Sequence, residues 1–130
     1  MIVLDASVMV ELLRGSPARA QLGARLAGEP RPFHTPHLLD AEVTQVFRRL
    51  ALGGMISAEG GFAAVQALGI WPLRRHTHGP LLGRCWALRA NLTIYDALYV
   101  ALAERLGATL LTRDARLAGA PGVQAPIELL

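Results

Sequence analysis

Residues 95–114, YDALYVALAERLGATLLTRD, decide the fold. Thr93 stands where a helix N-cap is wanted, Ile94 to Leu106 carries helix-forming residues, and Gly107 supplies the stop. Ala108 to Thr112 follows at once as a continuous apolar run, read as a strand. Asp114 comes just beyond its end. A helix that feeds within two residues into an unalternated strand is half of a parallel βαβ unit, because such strands are covered on both faces. At the other end of the chain, Met1 to Leu4 is a second short apolar run rich in β-branched residues, and Asp5 sits at its carboxyl end.

The segments between these two follow the same alternation. The spacing predicts helices over Ser7 to Leu13 and Pro17 to Ala27, then a short strand at Phe33 to Thr35. A helix from near Pro36 carries Leu39, Val43, Val46, Phe47 and Leu50 as one apolar stripe and ends at Gly53-Gly54. Ser57 opens a helix to about Leu68, Ile70 to Leu73 reads as a third strand, and Thr77 to Ala90 as a further helix. After Arg113 come a short helical turn and a last strand near Gln124 to Glu128. The expected architecture is an α/β single domain over residues 1–130, with a central parallel sheet of about four to five strands flanked by helices.

Composition narrows the function. The chain has 130 residues, 52% of them hydrophobic and 18% charged, which excludes disorder and supplies one core. Its longest stretch without a charged side chain, Gly60 to Leu73, is broken by glycines and Pro72 and falls short of the roughly 20 residues of a bilayer span. No membrane association is expected, and the N-terminus lacks the basic leader of a signal peptide, so the expected location is the cytoplasm. The single Cys85 excludes an internal disulfide and a thiolate zinc cluster. All 13 cations are arginine, giving a net charge of +3. Without lysine, Schiff-base chemistry and Walker-type phosphate loops are excluded. Arg48, Arg49, Arg74 and Arg75, with Arg84 and Arg89, are candidates for a nucleic-acid surface, since guanidinium forks match phosphate oxygens. A GC-rich genome would produce the same bias with no functional meaning.

Ligands of open α/β sheets bind beyond the carboxyl ends of the strands, so acids placed there are the first functional candidates. Asp5 and Asp114 follow strands directly. Asp96 lies in the first turn of a helix that begins at that edge, and Glu42 in the first two turns of another. Four carboxylates aimed at one crevice repel, and a hard divalent cation relieves this. Oxygen donors without Cys or His favour Mg²⁺ or Mn²⁺. Each acid also has a plainer role: Asp5 and Asp114 suit helix caps, and Asp96 stands three residues after Thr93, the spacing of a capping box. Asp40 rivals Glu42, about 200° round the same helix, and periodicity does not choose between them. Ser7 is either a cap or, next to Asp5, a hydroxyl for a metal-bound water or a phosphate. His76 and His78 read as a solvated pair in a loop, and His34 and His37 as polar groups at a helix start. Trp71, Trp86, Tyr95 and Tyr99 read as core or interface residues.

MIVLDASV at the start, TPHLLDAEVTQVFRR in the middle and LTIYDALYVALAERLGATLLTRD near the end together resemble the PIN-domain ribonucleases, in particular the VapC-type toxins of bacterial toxin–antitoxin pairs. The resemblance covers essentially the whole chain. It implies that Asp5, Glu42, Asp96 and Asp114 form an acidic metal site, with Ser7 and Thr112 in support, and it selects Glu42 over Asp40. It implies metal-dependent endonucleolytic cleavage of RNA, a homodimer, and a cognate antitoxin whose tail lies along an apolar groove and sets a basic side chain against the acids. In one departure, Arg116 stands where some relatives carry a further acid, which bears on how a second metal is held. Two other readings compete: a PIN nuclease that processes RNA without an antitoxin, and a non-catalytic binding module on the same fold. A phosphoacceptor receiver domain shares the alternation but needs a late lysine that this chain lacks.

Overall fold

The computed structural model describes residues 1–130. Five strands, β1 (Ile2–Leu4), β2 (Phe33–Pro36), β3 (Leu73–His76), β4 (Thr109–Thr112) and β5 (Ile127–Leu129), form one sheet in the order β3-β2-β1-β4-β5. Every neighbouring pair is parallel. The chain moves outward from β1 through β2 to β3, then crosses back to β4 on the other side, so the order reverses between β1 and β4. A crevice opens at such a reversal.

The helices are α1 (Ala6–Arg14), α2 (Ala18–Leu26), α3 (Leu38–Leu52), α4 (Ala58–Ile70), α5 (Leu82–Ala87), α6 (Ile94–Leu106) and α7 (Ala115–Ala118). Packing of α6 spans β1, β2 and β4, with α5 against it, whereas α1 packs on β4 and joins α2, α3 and α4. Right-handed crossovers put these two groups on opposite faces of the sheet. The central strands are accordingly sealed: Val3, Leu4, Leu110 and Leu111 have no exposed surface. The amphipathic stripe expected on α3 is real, with Leu39, Val43 and Phe47 buried and Val46 and Leu50 packed at its margin. Cys85 is buried as a small apolar residue.

Several expectations are corrected. The third strand is Leu73–His76 rather than Ile70 to Leu73. The helix before it runs on through Ile70 and ends at Trp71, whose extended backbone (φ −61°, ψ 143°) is what a residue preceding proline adopts. Apolar content misled here, because Ile70 is an exposed helix end while the true strand lies at the sheet edge, where polar side chains are tolerated. The helix expected over Thr77 to Ala90 is reduced to a 3₁₀ turn at Gly79–Leu81 and the short α5, and the last strand starts later, at Ile127. His37 stands exposed at the start of α3 as expected, but His34, His76 and His78 are not loose polar groups. His34 is buried on β2, and its Nδ1 lies 2.9 Å from Nε2 of His76 on β3. His78 Nε2 accepts the Leu38 N–H at 3.0 Å, at the start of α3. Trp86 and Tyr95 are largely exposed, whereas Tyr99 is in the core.

Candidate active site

Asp5 leaves the carboxyl end of β1 into the crevice beside β4. It is the N-cap of α1: Oδ1 accepts the Val8 N–H at 3.1 Å and the Ser7 hydroxyl at 2.6 Å. Oδ2 accepts the hydroxyl of Thr112, the last residue of β4. Both hydroxyls are committed in turn, since Ser7 Oγ accepts the Arg113 N–H at 2.9 Å and Thr112 Oγ1 accepts the Asp114 N–H at 3.0 Å. Each hydroxyl proton is thereby directed at Asp5 while its oxygen anchors the loop after β4. Asp5 is therefore the helix cap that its position allowed, and the Ser7 and Thr112 hydroxyls both donate to it. Asp5 is only 6% exposed, and burial raises its pKa above the ordinary carboxylate value despite these donors.

Glu42, in the second turn of α3, accepts the Tyr99 hydroxyl on Oε1 at 2.6 Å. Burial raises its pKa too, and the charges of Asp96 and Asp5 add to the rise. The same two acids and Glu42 raise the pKa of the Tyr99 phenol, whose own burial contributes most, and so keep it a hydrogen-bond donor. Asp40 turns elsewhere: both its oxygens are taken by Arg75, at 2.7 and 3.0 Å. Geometry thus separates the two rivals on α3. Asp96 sits in the first turn of α6, where its own N–H donates to the Thr93 hydroxyl at 3.1 Å. Tyr99 follows it by three residues on the same helical face, and its hydroxyl reaches Glu42 on α3.

Asp5, Glu42 and Asp96 form no ion pair, although the chain has a net positive charge. Asp114 differs. Its Oδ2 lies 2.7 Å from Nη2 of Arg116 and its Oδ1 accepts the Arg116 N–H at 2.9 Å, which lowers its pKa below the ordinary value. No three His, Cys, Asp or Glu side chains are gathered closely enough to hold a metal ion as they stand. Asp5, Glu42 and Asp96 nevertheless suit a hard divalent cation, because they are carboxylates whose charges meet at Glu42 without a counter-charge.

Of the arginines, Arg48 and Arg49 are exposed near the far end of α3 and Arg74 is exposed on β3. Arg75 is tied to Asp40 and also donates to the Leu68 carbonyl at 3.0 Å. Arg84 is tied to Glu104 and to the Gly122 carbonyl. Arg89 stacks on Trp86, 4.7 Å from the ring centre.

Residues 2–123 match the PIN domain family. The chain is 46% identical over 129 residues to ribonuclease VapC1 of Mycobacterium tuberculosis, covering 98% of this chain and 96% of that one. Its fold is similar to that of the crystal structure of VapC20 from Mycobacterium tuberculosis, a sarcin–ricin loop cleaving toxin, with a TM-score of 0.71 at 17% identity over 95% of this chain and 99% of the other. It is also similar to a chain of a toxin–antitoxin complex from Klebsiella pneumoniae, with a TM-score of 0.70 at 22% identity over 99% of this chain and 100% of the other. The chain belongs to the PIN domain family and, within it, to the VapC-type ribonucleases.

Proposed function

We propose that the protein is a metal-dependent endoribonuclease toxin, neutralised by a cognate antitoxin and working as a homodimer in the cytoplasm. The observation that carries the reading is the convergence of Asp5, Glu42 and Asp96 on the crevice between β1 and β4 without a cationic partner. Relatives named ribonucleases over the full length support the activity, and a structural neighbour found in a toxin–antitoxin complex supports the partner.

Asp5, Glu42, Asp96 and Asp114 would hold Mg²⁺ or Mn²⁺. Such an ion would supply Lewis-acid stabilisation of charge on the phosphoryl oxygens and would lower the pKa of a water. The protein's own part is positioning. Ser7, Thr112 and the Val8 amide hold Asp5 in one orientation and leave it acceptor-only toward a cation. Tyr99 holds Glu42 by Oε1, which leaves Oε2 for a cation or a water. No side chain here is an activated nucleophile, so hydrolysis proceeds without a covalent enzyme intermediate. For the antitoxin, the groove between α3 and α4, lined by Phe47, Leu52, Phe62 and Val65, offers an apolar seat for an extended or helical segment.

The test is cleavage of end-labelled total RNA by antitoxin-free protein in Mg²⁺ or Mn²⁺. Discrete fragments that vanish with EDTA and with Asp96→Asn are expected. Cleavage that persists in EDTA, or in the variant at the wild-type rate, overturns the reading.

A further inference from the structure

Arg116 lies in the field of the crevice acids, and it is held more loosely than Arg75 and Arg84. Arg75 and Arg84 each grip both oxygens of a carboxylate and a main-chain carbonyl as well. Arg116 makes a single side-chain contact, Nη2 to Asp114 Oδ2 at 2.7 Å, and its side chain is 79% exposed. The field of Asp96 reaches it as well as that of Asp114. A lone exposed ion pair contributes little net stability, so this guanidinium is free to change partners. Its stem lies within two residues of Asp114, and the Arg116 N–H to Asp114 Oδ1 bond at 2.9 Å keeps it at the crevice whichever way the side chain turns.

A ribonucleic acid strand entering the crevice brings phosphates toward Asp5, Glu42 and Asp96, and this repulsion must be offset by a cation that can leave its present partner. We propose that Arg116 is a substrate-binding residue that exchanges Asp114 for a backbone phosphate of single-stranded RNA. Its planar fork suits two phosphate oxygens better than the one carboxylate oxygen it now holds. The exchange also frees Asp114, so Arg116 and a divalent cation compete for the same carboxylate. The inference rests on the ribonuclease reading given above.

The experiment compares wild type, Arg116→Gln, Arg116→Lys and Arg105→Gln, the last removing an exposed arginine at the opposite end of α6. Binding of a fluorescein-labelled, mixed-sequence single-stranded oligoribonucleotide is read by anisotropy in EDTA across a salt series. Mn²⁺ binding is read without RNA from the rise in melting temperature. For Arg116→Gln the expected result is RNA binding weaker by about tenfold, with the slope of log K against log salt reduced by about 0.7, one phosphate contact on a single strand. Arg116→Lys should recover part of the affinity, and Arg105→Gln should stay near wild type. Mn²⁺ should bind several-fold more tightly to Arg116→Gln. RNA affinity and salt slope equal to those of wild type or of Arg105→Gln overturn the assignment, and Mn²⁺ binding unchanged or weakened overturns the shared carboxylate. If wild type cleaves RNA and Arg116→Gln binds as well as it does, only the Arg116 assignment falls. If Arg116→Gln loses binding while wild type fails to cleave, the assignment stands and the ribonuclease reading falls.

Discussion

The carboxylates of this chain divide into two populations. Glu104, Asp40 and Glu128 each lie against an arginine, with both oxygens engaged. Glu104 and Glu128 accordingly have pKa values below the ordinary one: for Glu104 burial is the largest single effect and acts upward, but Arg84 and the Gln124 N–H together outweigh it, and Glu128 is lowered by Arg25. Asp5 is buried and Glu42 half-buried; burial raises the pKa of each above the ordinary value, and for Glu42 the charges of Asp96 and Asp5 add to the rise. The same residue type thus fastens loops together in one region and stores repulsion in another. What separates them is direction: Asp40 shares α3 with Glu42, and Glu104 shares α6 with Asp96, yet Asp40 and Glu104 turn to arginines while Asp5, Glu42 and Asp96 face the crevice where the sheet order reverses. A fold selected for stability alone has no reason to gather a buried Asp5 and two half-buried carboxylates without a cationic partner.

The sharpest way to break this contrast is to neutralise one member of the unpaired set. Asp5→Asn should lower RNA cleavage by at least about 10²-fold, the scale for removing one group that stabilises transition-state charge. Its melting temperature should stay within a few degrees of wild type. Unfolding instead of inactivation would show that Asp5 serves the fold through its cap. Second in size is the response to metal. Mn²⁺ at a hundredfold excess over Kd should stabilise the protein by about 2.7 kcal/mol. Calorimetry should show this rise for wild type and its loss in Asp96→Asn.

The opposite experiment attacks the paired set. Arg84→Ala strands Glu104, whose side chain is 12% exposed, with only the Gln124 N–H at 2.8 Å, and it removes the bond to the Gly122 carbonyl. A loss of about 1–2 kcal/mol is expected, seen as a lower urea midpoint, with RNA cleavage preserved. The smallest effect concerns pH. Glu42 binds its proton more tightly in the folded chain than in the unfolded one, so its contribution to stability falls as pH rises from the ordinary carboxylate range through the raised pKa. Glutamine cannot ionise. Metal-free Glu42→Gln should therefore melt a few degrees above wild type at neutral pH, and the gap should close on acidification. Measuring the difference cancels the neutral His34–His76 pair, whose lowered pKa values act in the opposite direction. A gap independent of pH would mean that Glu42 carries no stored repulsion.

Much of the fold was legible because local signals agreed. Thr93 as N-cap, Gly107 as a left-handed C-cap at φ 61° and the sealed runs of β1 and β4 all stand where the sequence put them. The third strand was misplaced because an edge strand needs no apolar content, so Leu73-Arg74-Arg75-His76 gave no signal while exposed Ile70 gave a false one. The roles of Tyr99 and Arg116 were hidden for a different reason. A tyrosine on a buried helix and an arginine two residues from an aspartate are common, and nothing local says that one donates to Glu42 and the other holds Asp114.

The sequence by itself determined the α/β alternation, the strand ends that carry Asp5 and Asp114, and the helix starts that carry Asp96 and Glu42, because caps, periodicity and apolar runs act within a turn or two of chain. Only the tertiary structure decided which acids keep their charge unpaired. Arg75 reaches Asp40 across 35 residues, Arg84 reaches Glu104 across 20 and Thr112 reaches Asp5 across 107. Such pairings depend on where the sheet brings distant segments together, and electrostatic energy follows separation in space, not along the chain.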